Sequence, residues 1–146
     1  MEKIFFELHF PFLVNFIFVL VFDQNGARLA KRVFDFILGS TVETEFIEFM
    51  NSQATGTIMA AAVYDATNFN AAMSSQYFTT MQAWGATGIS DRDYRDSYAV
   101  IGVKGGTADE RWSAAGEGPS EFVTRNFTTS TQSQLSSKHK TNVISS

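Results

Sequence analysis

The sequence predicts an α+β domain, and three observations carry that reading. Short runs rich in β-branched and aromatic residues recur at Phe16–Phe22, Thr57–Tyr64 and Ser97–Val103, the length of strands rather than of helices. Asn25-Gly26 follows the first run as a hairpin signal. Two other segments, Val42–Asn51 and Asn70–Ala83, repeat their apolar residues at helical spacing.

Residues 4–22 are apolar, but Glu7 and Pro11 oppose a membrane span, and the flanks lack the basic bias and cleavage site of a signal peptide. Membrane contact is therefore not expected. Phe16–Phe22 reads as a central strand, with Ile17, Val19 and Val21 on one face and Phe16, Phe18, Leu20 and Phe22 on the other. Residues 1–12 receive no assignment. A type I′ turn at Asn25-Gly26 leads into a second strand over Arg28–Phe34.

Ser40-Thr41-Val42-Glu43 reads as a capping box opening the first helix, whose apolar stripe is Val42, Phe46, Phe49 and Met50. Gly56 precedes the strand Thr57–Tyr64, rich in small residues, and Asp65 follows at its end. The second helix presents Met73, Tyr77, Met81 and Trp84, and Gly85 is placed to end it. After Gly106 the periodic signal fades. Residues 128–146 are polar, Ser/Thr-rich and expected to be disordered.

Composition narrows the function. The chain of 146 residues suits one domain, and its 15 Phe imply a core of large rings. A net charge of −4 without a basic cluster argues against a nucleic-acid partner. Cysteine is absent, so no disulfide framework or thiolate site exists. With His9 in the apolar start and His139 in the tail, neither a Ser-His-Asp arrangement nor a His metal site can be assembled. No enzyme activity, metal or cofactor is expected. Asn126-Phe127-Thr128 is a glycosylation sequon if the chain enters the secretory pathway.

The stretch Asp91–Gly106 is the most distinctive. Acids and bases alternate around Tyr94, an apolar strand follows at Ser97–Val103, and Lys104-Gly105-Gly106 closes it. Polar side chains gathered at a strand end are where binding loops sit.

In order, VLVFDQNGARLAKRVFDF, EFIEFMNS, GTIMAAAVYDA, AWGATG, DYRDSYAVIGVKGG and GPSEFVTRN resemble the ILEI/PANDER domain. Its hallmark aromatic-Arg-Asp run is matched by Tyr94-Arg95-Asp96 through Lys104-Gly105. The resemblance covers Phe16–Asn126 and places such a domain over residues 13–127. It implies a compact β-β-α sandwich: two mainly antiparallel sheets with two or three helices packed outside. It also implies a secreted or lumenal protein. Relatives include cytokine-like proteins, a Golgi glycosyltransferase stem that binds carbohydrate, and cell-surface hyaluronan-degrading proteins.

The stem's sugar-holding acid and Arg map onto Asp65 and Arg95. There are departures. The acidic loop here reads Asp65-Ala66-Thr67-Asn68, the Gly-rich strand pair that normally precedes Phe16 is missing, and the cytokine-like members' cysteines are absent.

Two roles stand open for Arg95: bridging backbone carbonyls, or offering its planar fork to a sugar hydroxyl or acetamide oxygen. Asp65 would accept from hydroxyls, and Tyr94 or Trp112 would stack on a pyranose. Lys104 is a candidate for either a binding or a structural role. Asp96, Gly102 and Gly105 read as structural, and Trp84 and Tyr98 as core. The expected partner is a glycan, with GlcNAc-containing glycans among the candidates. The alternative is a cytokine-like protein acting through a cell-surface protein receptor.

Overall fold

The computed structural model describes residues 2–4, 16–36, 40–63, 73–93, 95–117 and 125–127. The elements run β1 (Glu2–Ile4), β2 (Phe16–Phe22), β3 (Arg28–Asp35), α1 (Ser40–Asn51), β4 (Ile58–Val63), α2 (Ser75–Gln82), a 3-10 turn (Gly88–Asp91), β5 (Ser97–Val103), β6 (Ala108–Ser113) and β7 (Arg125–Phe127). Five strands form one sheet in the order β3-β2-β4-β5-β6, every neighbouring pair antiparallel. β1 and β7 make a separate antiparallel ladder of three residue pairs. The α+β class holds. In place of two full sheets, the described residues give one five-stranded sheet and this short ladder. The residues assigned to a disordered tail, 128–146, lie outside the described residues.

β2 is an interior strand between β3 and β4, as its two apolar faces require. Ile17, Val19 and Val21 are fully buried beneath the helices, in one cluster with Phe46 and Met50 of α1 and Tyr77 and Met81 of α2. The opposite face carries a smaller cluster of Phe22, Ile58, Ala60 and Ile101. The helix-side core is built on rings. Phe46 lies 5.2 Å from Phe34, 5.7 Å from Phe36 and 5.0 Å from Tyr77, centroid to centroid. Edge-on and tilted contacts of this kind add to the area they bury.

The first hairpin does not use the expected turn. A type I′ turn needs positive φ at both Asn25 and Gly26, and only Gly26 has it, at 85°. Instead Asp23 Oδ1 accepts the amides of Asn25 and Ala27, and Gly26 donates to the Asp23 carbonyl. The side chain of Asp23 organises a longer loop ending in a left-handed glycine.

The expected capping box is also redistributed. Glu43 reaches across to α2, where its carboxylate accepts from both the amide and the hydroxyl of Ser74, the N-cap of that helix. Ser74 Oγ in turn accepts the Tyr77 amide at 3.3 Å. The reciprocal pair of bonds that defines a capping box is thus completed by an acid from another helix. At the far end of α2, Ala86 donates to the Met81 carbonyl and Gly85 to that of Gln82. These are the two bonds of a Schellman ending, with Gly85 at φ 77° as the sequence predicts. The chain then packs so closely on β5 that a Cβ on Gly102 would fall 2.4 Å from the Trp84 carbonyl oxygen.

Candidate functional site

Registers across the sheet bring one corner together. Val63, the last residue of β4, pairs with Tyr98 on β5, and Tyr98 pairs with Trp112 on β6. The chain therefore leaves β4 at the same end of the sheet where the Asp91–Asp96 loop enters β5. Trp112 lies on the outermost strand and is 50% exposed.

Three side chains tie the loop down to β6. Glu110 accepts from the amides of Thr87 (3.1 Å) and Gly88 (2.9 Å) and from the Tyr98 hydroxyl (2.5 Å). Burial, and then the bond to Glu110, push the Tyr98 hydroxyl well above the ordinary tyrosine range, so it stays a protonated donor. Arg92 donates from Nε to the Gly88 carbonyl at 3.1 Å and lays its guanidinium 4.2 Å from the centre of the Trp112 ring. Asp96, buried as expected of a structural residue, accepts from the amides of Asp93 (2.9 Å) and Ala115 (3.1 Å), with Arg92 at 4.0 Å.

Within this frame Arg95 is exposed. Its φ of 69° is the one positive value on a non-glycine residue among the described residues. It occupies a turn closed by the Asp96 amide on the Asp93 carbonyl. A left-handed arginine is held there by the bonds of its neighbour, against its own backbone preference.

Other sequence candidates fall elsewhere. Lys104 sits at the far end of β5 from Arg95, about 20 Å away along seven strand residues. Its ammonium donates to the carbonyls of Met50 (3.2 Å), Asn51 (2.7 Å) and Gln53 (2.5 Å), at the carbonyl end of α1. All three of its donors are engaged, so of the two roles left open the structural one has its partners in place. Asp65 and Tyr94 lie outside the described residues. Asn126 is placed in β7, and Thr128 of its sequon lies outside them.

β6, Arg92 and Glu110 were not anticipated as parts of the corner. β6 is an edge strand whose helix-side residues are Ala108, Glu110 and Trp112, too few apolar side chains to make a run. The Gly105-Gly106 turn followed by this alternation is the signal that marks it.

The geometry defines a class: an α+β domain whose antiparallel sheet presents, at one corner, a pinned charged loop beside a half-exposed tryptophan. The family model for interleukin-like EMT inducer matches residues 16–106, and the chain belongs to that family. Members of this family are generally extracellular. No curated protein matches the chain. Trp112 and Glu110 lie past the matched span. Among the described residues no helix is long and apolar enough to cross a membrane.

Proposed function

We propose that this chain is a noncatalytic, secreted or lumenal domain that recognises a glycan at the corner formed by the Asp91–Asp96 loop and β6. The observation that carries the reading is Arg95, held in a strained left-handed turn of the same loop whose Arg92 stacks on the half-exposed Trp112. Strain of this kind persists where the surroundings enforce it, and it clusters at binding sites. Trp112 offers an apolar ring face or edge to a pyranose, and Arg95 a fork of donors to a hydroxyl or acetamide oxygen. By the family resemblance, Asp65 and Tyr94 join the site. In the same reading β1 and β7 belong to the second sheet of a sandwich, and Asn126 carries a glycan.

A glycan array including β-linked GlcNAc and hyaluronan fragments, probed with the native chain, Arg95→Ala and Trp112→Ala, tests the site. Binding by the native chain that is lost in both variants, with their melting temperatures retained, is the expected result. A folded native chain that binds no glycan overturns it. The exposed Leu29 and Val33 on the opposite edge of the sheet favour the second reading, a cytokine-like protein acting through a protein receptor.

A further inference from the structure

β3 forms the edge of the sheet opposite β6. Among the described residues nothing pairs with its outer side, so alternate backbone N–H and C=O groups face away from the protein. Natural edges are usually short, interrupted by proline, covered, or guarded by charged side chains, which disfavour pairing with a strand of like charge and leave an acidic one admissible. This one runs eight residues without proline, with Arg28, Leu29, Lys31, Arg32 and Val33 all exposed.

The side chains along it are of two kinds. Leu29 is 58% exposed and Val33 48%. Lys31 and Arg32 project to opposite faces and rest on rings. Lys31 lies 5.2 Å from the centre of Phe18, and Arg32 5.5 and 5.3 Å from those of Phe34 and Phe49. Neither they nor Arg28 form an ion pair among the described residues. In a chain of net charge −4, three cations with no ion pair among the described residues, against the single acid Asp35, leave this strand net positive, opposite in sign to the whole.

We propose that the outer edge of β3 docks an extended acidic segment of a partner protein as an additional strand. Main-chain hydrogen bonds would supply affinity, carboxylates opposite Lys31 and Arg32 the specificity, and apolar side chains would cover Leu29 and Val33. A second copy of this chain is disfavoured in the registers centred on Lys31 and Arg32, where antiparallel β3–β3 pairing sets like charges against each other. A polyanionic sugar would use the cations but leave Leu29 and Val33 uncovered. The surface is separate from the glycan corner and does not depend on that reading.

The probe is a blocked ten-residue peptide alternating Glu with Val, titrated into the full chain and followed by amide chemical shifts and fluorescence anisotropy. The proposal expects saturable binding with shifts concentrated on β3. It expects roughly tenfold weakening in Lys31→Gln/Arg32→Gln. Loss is expected when alternate peptide amides are N-methylated, a control that leaves the protein unaltered. Arg95→Ala should bind the peptide as the native chain does. Three results overturn the proposal: no binding, binding indifferent to N-methylation (charge attraction alone), or sedimentation showing that β3 is buried between two copies of the chain.

Discussion

Arg95 carries a backbone conformation that glycine adopts freely and arginine does not. Arg95→Gly should leave stability unchanged or raise it by up to about 1 kcal/mol, the relieved strain offset in part by the entropy of the unfolded glycine. Arg95→Val, β-branched at positive φ, should be less stable than Arg95→Gly by about 1–2 kcal/mol. Urea denaturation of both variants checks this, and equal stabilities would remove the case for strain. Lys104 makes the contrasting residue. Lys104→Met keeps much of the stem but leaves the carbonyls of Met50, Asn51 and Gln53 without their shared donor. A loss of about 1–3 kcal/mol is expected, with any glycan binding at the Arg95 corner unchanged. Weaker glycan binding by a variant of native stability would return Lys104 to the site. Arg95 and Lys104 both lie in the distinctive stretch Asp91–Gly106, and both are legible there as special. Their roles are not, because the partners of Lys104 are more than fifty positions away in the chain.

At the scale of elements, the joined helix ends make a testable unit. Ser74→Ala removes an N-cap and should cost about 1 kcal/mol, and Glu43→Gln should cost a similar amount or less. Since both act on the same bonds, the double variant should cost less than the sum. Strict additivity in that cycle would show that the inter-helix contact carries no energy. The two helices themselves were legible from their apolar stripes. That Glu43 serves the other helix was not, since Ser40 stands at the right spacing in sequence and Ser74 is near only once both helices pack on the sheet. β6 was missed for a related reason: an edge strand needs few apolar residues, and Glu110 occupies an inward position only because Tyr98, Thr87 and Gly88 meet it there.

For the molecule as a whole, the aromatic core sets a pH limit. The hydroxyls of Tyr77 and Tyr98 are both pushed above the ordinary value, by burial first and then by Glu43 and Glu110 respectively. Ionisation is thus easier in the unfolded chain than in the folded one. The stability these residues contribute is fully present below the unfolded value near pH 10 and falls as the pH rises above it, by up to ~1.4 kcal/mol per pH unit for each tyrosine. Urea midpoints measured from pH 8 to 11 should drop beyond pH 10, and less steeply in Tyr98→Phe. A flat profile would mean that neither hydroxyl is sealed from solvent.

The α+β class, the spans of β2 and β5, the positions of both helices and the family resemblance are all readable along the chain. Each depends on local pattern: alternation, helical spacing, and glycine where φ must be positive. Which side chains meet is settled by packing in three dimensions. It set Arg92 against Trp112 and gave Glu43 to Ser74 and Lys104 to the end of α1. It also placed β3, with its exposed cations, at the edge of the five-stranded sheet, unpaired on its outer side among the described residues. Those outcomes follow from strand order and register, which bring together residues far apart in the chain and which no local pattern encodes.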